Sequence, residues 1–298
     1  MSAATHFQHT VAGPAIFAGV GLHTGVRVRV AIRPAGPETG VVFVRTDVTD
    51  RDNTVPVTAQ SVGKTQLGTV INNSAGVTVS TIEHLMAALA ALNIDNAIVE
   101  LDGPEVPIMD GSSEPFVQML DRAGRRSQEA PRRYIEILRP IEVVEGDKRA
   151  VLTPSEEFEV AFEIAFPSAA IGRQRVDLVV DEQTFRDELS DCRTFGFVHE
   201  VEALRAIGLA RGGSMENAVV IDGDRVLNPE GLRRPDEFVR HKALDAIGDL
   251  YVLGSPILGR FEGVLAGHGL NNALARAVVA NPSAWRIRTF AADLAQAV

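Results

Sequence analysis

Apolar and polar residues alternate with a period of two in Val26-Arg27-Val28-Arg29-Val30 and again, with small residues among the apolar ones, in Phe158-Glu159-Val160-Ala161-Phe162-Glu163-Ile164-Ala165-Phe166. Such a period sends successive side chains to opposite faces, so each stretch predicts a strand with one face on a core and the other toward water. From Asp121 to Arg133 the pattern vanishes. That polar, aperiodic stretch reads as a linker between a domain of residues 1–125 and one of residues 134–298. Each half also carries one clear helical pattern. Ser80-Thr81-Ile82-Glu83 has the S-x-x-E form of a capping box, and good helix formers follow from His84 to Leu92. Pro235-Asp236-Glu237 opens the second helix, which runs through His241, Asp245 and Asp249 to Leu253. Gly254 stands at its expected C-cap, and Pro256 forbids continuation. Superimposing His84 on His241 aligns two helices of similar length and hints at an ancient duplication. Strands and helices come in runs, not in βαβα alternation, which predicts an α+β fold of layered sheets and helices.

A chain of 298 residues buries enough surface, roughly three quarters of what its unfolded form exposes, to fold without disulfide or metal. Its 29 basic and 39 acidic residues leave a net charge of −10, and no Lys/Arg-rich block relieves it. Non-specific nucleic-acid binding, which depends on neutralising phosphates, is thereby disfavoured. The single cysteine, Cys192, rules out an intrachain disulfide and a thiolate zinc cage. No stretch approaches the ~18 apolar residues of a membrane span, and the residues from Met1 to His6 lack the character of a secretory leader. The expectation is a cytoplasmic protein of a reducing compartment.

Gly19-Val20-Gly21-Leu22-His23-Thr24-Gly25 spaces its third glycine one residue late for a dinucleotide loop, and no helical pattern follows it. Gly63-Lys64-Thr65 ends like a P-loop, but that motif's first glycine would fall at Thr58. The chemistry gathers elsewhere. His241 and Asp245 are four apart on a helix and leave the same face about one turn apart, the spacing at which one helix gives two ligands to one metal. An imidazole and a carboxylate suit a catalytic zinc, although a solvated helix pair satisfies the same spacing. Asp249 continues the face. Glu83-His84 opens the other half's helix, where Glu83 is also the reciprocal member of the capping box and His84 could be a core histidine. His268, flanked by Gly267 and Gly269, precedes Asn271-Asn272, a plausible N-cap. A helix N-terminus would lower its pKa and a carboxylate such as Asp249 would raise it. Lys242 is one of three lysines, with Lys64 and Lys148, in a chain that otherwise chooses arginine. A compact ammonium beside His241 fits where a guanidinium fork would not.

The segments 19–25, Ser80–Leu89, Pro107–Ser113, Cys192–Phe197, Gly212–Ala218, Phe238–Leu250 and Gly267–Asn272 resemble, in order and over roughly residues 10–275, the UDP-3-O-acyl-N-acetylglucosamine deacetylases, zinc amidases of lipid A biosynthesis. The resemblance implies two similarly layered α+β domains whose helices face each other across the active site, with a small insert near 196–222 in the second. It implies one zinc ion per chain held by His84, His241 and Asp245, with Glu83 as general base. His268 would be the second acid/base or electrostatic group, oriented by Asp249. Thr194 would help hold the carbonyl oxygen, and Lys242 would reach toward the substrate's diphosphate or amide. Phe195 and the segment 200–209 would line an acyl-chain passage, although that segment also reads as an ordinary amphipathic helix. His23 would touch substrate. One position departs from the pattern: where some members place a lysine three residues before the Gly-His-Gly histidine, this chain has Leu265, so no diphosphate contact is assigned there.

The expected reaction is hydrolysis of the N-acetyl amide of UDP-3-O-(3-hydroxyacyl)-N-acetylglucosamine with release of acetate, carried out by a monomer on an amphiphilic UDP-sugar. The competing readings are a zinc amidohydrolase of another nucleotide or amino sugar, and a non-catalytic metal- or nucleotide-sugar-binding protein whose metal is closed by a fourth protein ligand.

Overall fold

The computed structural model describes residues 6–290. The alternation at Val26–Val30 belongs to a longer strand, Arg27–Pro34, in which Val28, Val30 and Ile32 are buried while Arg27, Arg29 and Arg33 face water. This strand lies in a five-stranded sheet ordered Ala15–Val20, Arg27–Pro34, Ala97–Leu101, Val41–Arg45, Thr54–Pro56. Its neighbours are antiparallel except Val41–Arg45 and Ala97–Leu101, which run parallel. The second alternating stretch becomes the strand Phe158–Ala165 of a seven-stranded sheet. That sheet is organised around Ile257–Val264, which pairs in parallel with Tyr134–Ile137 and Phe158–Ala165 and antiparallel with Lys148–Thr153. The fold is α+β, as the pattern of elements predicts.

Helices α1 (Glu83–Ala91) and α2 (Glu114–Ala123) belong to the first half. The second half carries α3 (Glu182–Thr184, continuing as a π-helical turn over Phe185–Leu189), α4 (Val198–Ala206), α5 (Glu237–Leu250) and α6 (His268–Ala280). Helices α1 and α5 pack on each other across the two halves. Both are buried nearly all round, as helices at the centre of a fold must be. Gly248 makes their crossing close, because a Cβ at that position would overlap the Glu83 carbonyl. The start of α1 therefore meets the C-terminal half of α5.

Three local expectations are corrected. The stretch expected as a linker is the end of α2 followed by a strand, Arg125–Pro131, antiparallel to Phe7–Val11. Within that strand only Ala130 is buried, so the ladder is held by backbone and by amides such as Gln128, which donates to the Ala35 carbonyl, and no apolar period marks it. The capping box does not form. Thr81 takes a left-handed conformation (φ 58°) that detaches Ser80 from the helix and sets it in a bridge with Glu105, leaving Ile82 as an N-cap without a side-chain bond. Finally, α6 begins at His268 with extended Gly267 as its N-cap, so Asn271 and Asn272 lie inside the helix. Their amides are drawn inward to Asp249 and Thr69 instead of capping.

Candidate metal centre and active site

His84 comes from the first turn of α1, and His241 and Asp245 from successive turns of α5. All three are buried. Nε2 of His84 lies 3.4 Å, and Nε2 of His241 3.3 Å, from Oδ1 of Asp245, about the spacing of ligand atoms around a tetrahedral ion bound at ~2.0–2.1 Å. The two imidazoles stand edge to face with centroids 4.9 Å apart. Asp245 Oδ1 makes no hydrogen bond although it is buried, whereas Oδ2 accepts one from Lys242 Nζ at 2.7 Å. A buried carboxylate oxygen facing two imidazole nitrogens is an unfilled acceptor that a cation would satisfy. The tautomer suits this too. His241 Nδ1 is 3.0 Å from the Cys192 carbonyl, which can only accept, so the proton sits on Nδ1 and the Nε2 lone pair is free. Burial depresses His241 to a pKa of about 3, against the pull of Asp245, and keeps the ring neutral. Asp245 is held ionised: burial alone would raise it, but His241, Lys242 and His268 bring it well below the ordinary carboxylate value. These residues fit a divalent metal with nitrogen and oxygen ligands, and among the described residues the three donor atoms gather within 4.8 Å of one another.

Glu83, also buried, turns away from the helix end that it was expected to cap, and its Oε2 accepts the backbone N–H of Thr69 at 2.9 Å. Gly68 leaves room for the carboxylate, since a side chain there would press on Oε1. Burial raises the Glu83 pKa, opposed chiefly by the charge of the neighbouring His268. His268 donates from Nδ1 to Asp249 Oδ2 at 2.9 Å. Asp249 settles the question of that histidine's pKa: burial would lower it, but Asp249 and then Asp245 outweigh burial and raise it to about 9. Asp249 is wholly buried, and its remaining bonds come from Asn271 Nδ2 (3.0 Å) and Thr69 Oγ1 (2.5 Å).

Of the other expected residues, Lys242 and Phe195 contact this group. Thr194 lies two residues after Cys192, its N–H given to the Gly111 carbonyl and its carbonyl accepting from Val219 N–H. Phe195 follows, with its ring centroid 6.4 Å from that of His241 and Lys242 Nζ 5.9 Å from its centre. Lys242 is raised above the ordinary lysine value by Asp245, although burial opposes it. His23 stands farther out, on a loop whose His23 and Thr24 N–H groups are held by the carboxylate of Glu105, and its Nε2 is 3.2 Å from the Leu67 carbonyl. Helix α4 covers residues 198–206, with Val198, Val201 and Leu204 half-buried and its other residues exposed, so one face packs as that of an ordinary amphipathic helix does. It belongs to a small unit with the strands Phe195–Phe197, Val219–Asp222 and Arg225–Val226. Leu265 adopts φ 51° and gives its N–H to the Glu163 carbonyl.

Several contributors carry no sequence signal of their own. Thr69, the Cys192 carbonyl and the buried pair Arg193–Glu237 act through tertiary contacts, and Asn271 and Asn272, whose spacing suggests caps, do the same. A cavity of about 750 Å³ lies at the other ends of the helices, beside Ala91 of α1 and Leu250 of α5, and none of His84, His241, Asp245, Glu83 or His268 lines it.

A family profile described as "LpxC: UDP-3-O-acyl N-acetylglycosamine deacetylase" matches residues 8–280. A protein of Phenylobacterium zucineum (strain HLK1) named UDP-3-O-acyl-N-acetylglucosamine deacetylase is 75% identical over 292 residues, covering 98% of this chain and all of the relative. Proteins of the same name from Shewanella sp. (strain W3-18-1) and Shewanella baltica (strain OS155) are 51% and 50% identical over 286 residues, 95% of this chain and 93% of each relative.

Proposed function

The chain belongs to the UDP-3-O-acyl-N-acetylglucosamine deacetylase family, and we propose that it hydrolyses the N-acetyl amide of a UDP-3-O-acyl-N-acetylglucosamine at a zinc site formed by His84, His241 and Asp245. Membership makes it a deacetylase of lipid A biosynthesis. The observation that carries the site is the meeting of those three side chains, with Asp245 Oδ1 buried and unbonded between the two imidazoles. A structural zinc is closed by four protein ligands, whereas a catalytic one has three and an open position. Three donors among the described residues favour the catalytic form.

Zinc bound there supplies Lewis acidity, lowering the pKa of a bound water and polarising a carbonyl oxygen. The protein's own groups supply proton traffic and orientation. Glu83 is the base that takes the attacking water's proton, and its raised pKa moves its basicity toward that needed near neutrality. His268, kept protonated by Asp249, offers positive charge to the oxyanion of the tetrahedral intermediate and a proton to the departing amine. Thr194 contributes to the same oxyanion. Lys242 fixes Asp245 and presents its ammonium, with Phe195, at the substrate side of the centre. Phe195 and α4 line the acyl passage, and His23 touches substrate at the rim. No helix among the described residues is long and apolar enough to cross a membrane, and we place the enzyme in the cytoplasm as a monomer.

The test is acetate release from UDP-3-O-acyl-N-acetylglucosamine, measured beside the same nucleotide sugar without its acyl chain. Fast turnover of the acylated substrate alone is expected. Equal rates would instead favour an amidohydrolase of simpler amino sugars.

A further inference from the structure

We propose that Thr69 is a positioning residue that sets the general base and the histidine acid in one register; the proposal rests on the roles given above to Glu83 and His268. Thr69 is fully buried and lies on the segment before the strand Ile71–Asn72, outside both helices that carry the metal ligands. It touches both halves of the proton machinery with different atoms. Its backbone N–H donates to Glu83 Oε2 at 2.9 Å, and its hydroxyl donates to Asp249 Oδ1 at 2.5 Å.

The direction of the second bond is fixed by its neighbours. Asn272 Nδ2 lies 2.9 Å from the His268 carbonyl, which can only accept, so that nitrogen is the amide's donor. The same Nδ2 donates to Thr69 Oγ1 at 3.1 Å, occupying the hydroxyl's acceptor side and sending its single proton to Asp249. Asp249 in turn holds His268 Nδ1 through its other oxygen. One unbroken path, Glu83–Thr69–Asp249–His268, therefore joins α1, α5 and α6. The hydroxyl thus holds the carboxylate that orients His268, while the backbone N–H of the same residue holds Glu83.

The two contacts separate by mutation. Thr69→Val keeps shape and the N–H to Glu83 but deletes the hydroxyl. Thr69→Ser keeps the hydroxyl and loses a methyl, and Thr69→Ser and Thr69→Ala differ only in the hydroxyl. With zinc-loaded enzyme and UDP-3-O-acyl-N-acetylglucosamine, Thr69→Val is expected to lower kcat about ten- to a hundredfold with KM and zinc content close to wild type. Thr69→Ser should retain most of kcat even where its melting temperature falls. If kcat instead follows melting temperature across the variants, or Thr69→Val stays within about threefold of wild type while Glu83→Gln is inactive, the positioning role is wrong and the proposed mechanism stands. Should Thr69→Val fail to fold, the Ser/Ala comparison decides on the same terms. Full activity in Glu83→Gln would overturn the underlying mechanism itself.

Discussion

Asp249 and His268, on different helices, are joined by a 2.9 Å bond between carboxylate and Nδ1. With both side chains buried or nearly so, the pair fixes the ring's orientation and its charge together. His268 stands above its ordinary value of 6.5, at about 9, because Asp249 and Asp245 outweigh burial. Stability from a raised histidine is whole below its unfolded pKa and lost as pH rises through the folded one. Activity that needs the imidazolium falls through the same ionisation.

Replacing Asp249 with Asn keeps the volume and removes the charge. The His268 pKa must then drop, and the alkaline limb of the kcat profile should move to lower pH by about one to three units. Rate profiles of wild type and Asp249→Asn, with circular dichroism to confirm folding, check this. An unchanged alkaline limb would show that another group sets it.

Glu83→Gln removes the base while preserving an acceptor for the Thr69 N–H. A lost general base costs about a hundred- to ten-thousandfold, and because Glu83 is not among the metal ligands the variant should bind zinc as wild type does. Single-turnover acetate release with metal analysis separates the two effects. A rate within about threefold of wild type, some 0.7 kcal/mol of barrier, would remove Glu83 from the mechanism.

Metal removal should abolish turnover without unfolding the chain. The core cluster extends from Val11 to Ala284 through both sheets, and Asp245 has a partner of its own in Lys242, bonded to Oδ2. Chelation is therefore expected to silence the enzyme, and one equivalent of zinc per chain to restore it, while the far-ultraviolet dichroism stays unchanged. His241→Ala should lose the metal and not recover with added zinc. Activity that survives complete chelation would refute the metal site.

How far these features are legible in the sequence depends on their range. The two alternating strands follow from local rules, as does the stop at Gly254 (φ 76°), which ends the 3-10 turn Tyr251–Leu253 that continues α5. That His241 and Asp245 share a face follows from their spacing of four. The arrival of His84 beside them does not, because it depends on α1 crossing α5 at Gly248, a contact between backbones far apart in the chain. The S-x-x-E pattern does not become a capping box because a single left-handed residue, Thr81, disconnects Ser80 from the helix it would cap. Thr69 belongs to no motif, and its importance arises only from what folding brings around it.

Gly248 offers an inverted helix-propensity test. In an exposed helix, glycine to alanine would stabilise by up to ~1 kcal/mol. Here the new methyl would overlap the Glu83 carbonyl and push α1 from α5, so Gly248→Ala should instead destabilise by about 1–3 kcal/mol and weaken metal binding. Urea unfolding and zinc affinity measure the two consequences. A stabilised variant would show that the crossing tolerates the added volume.

The final prediction concerns a buried ion pair beneath the metal centre. Arg193 and Glu237 have side chains 2% and 0% exposed and are joined at 2.9 Å. Glu237 stands in the first turn of α5, one turn before His241, and its carboxylate also accepts the backbone N–H groups of Arg193 and Arg233. This clamp holds Cys192, whose carbonyl sets the His241 tautomer, and Thr194 on the other side. Removing Glu237 leaves Arg193 with Glu230 and the Gly231 carbonyl as its partners, and breaking a buried pair of this kind costs about 3–5 kcal/mol. Glu237→Ala should therefore lower stability by that amount and, by releasing the Cys192 carbonyl, weaken zinc binding about ten- to a hundredfold. Denaturant titration of the zinc-free chain measures the first effect, and competition with a zinc chelator measures the second. A destabilised variant with wild-type zinc affinity would mean that the clamp supports the fold but does not orient His241.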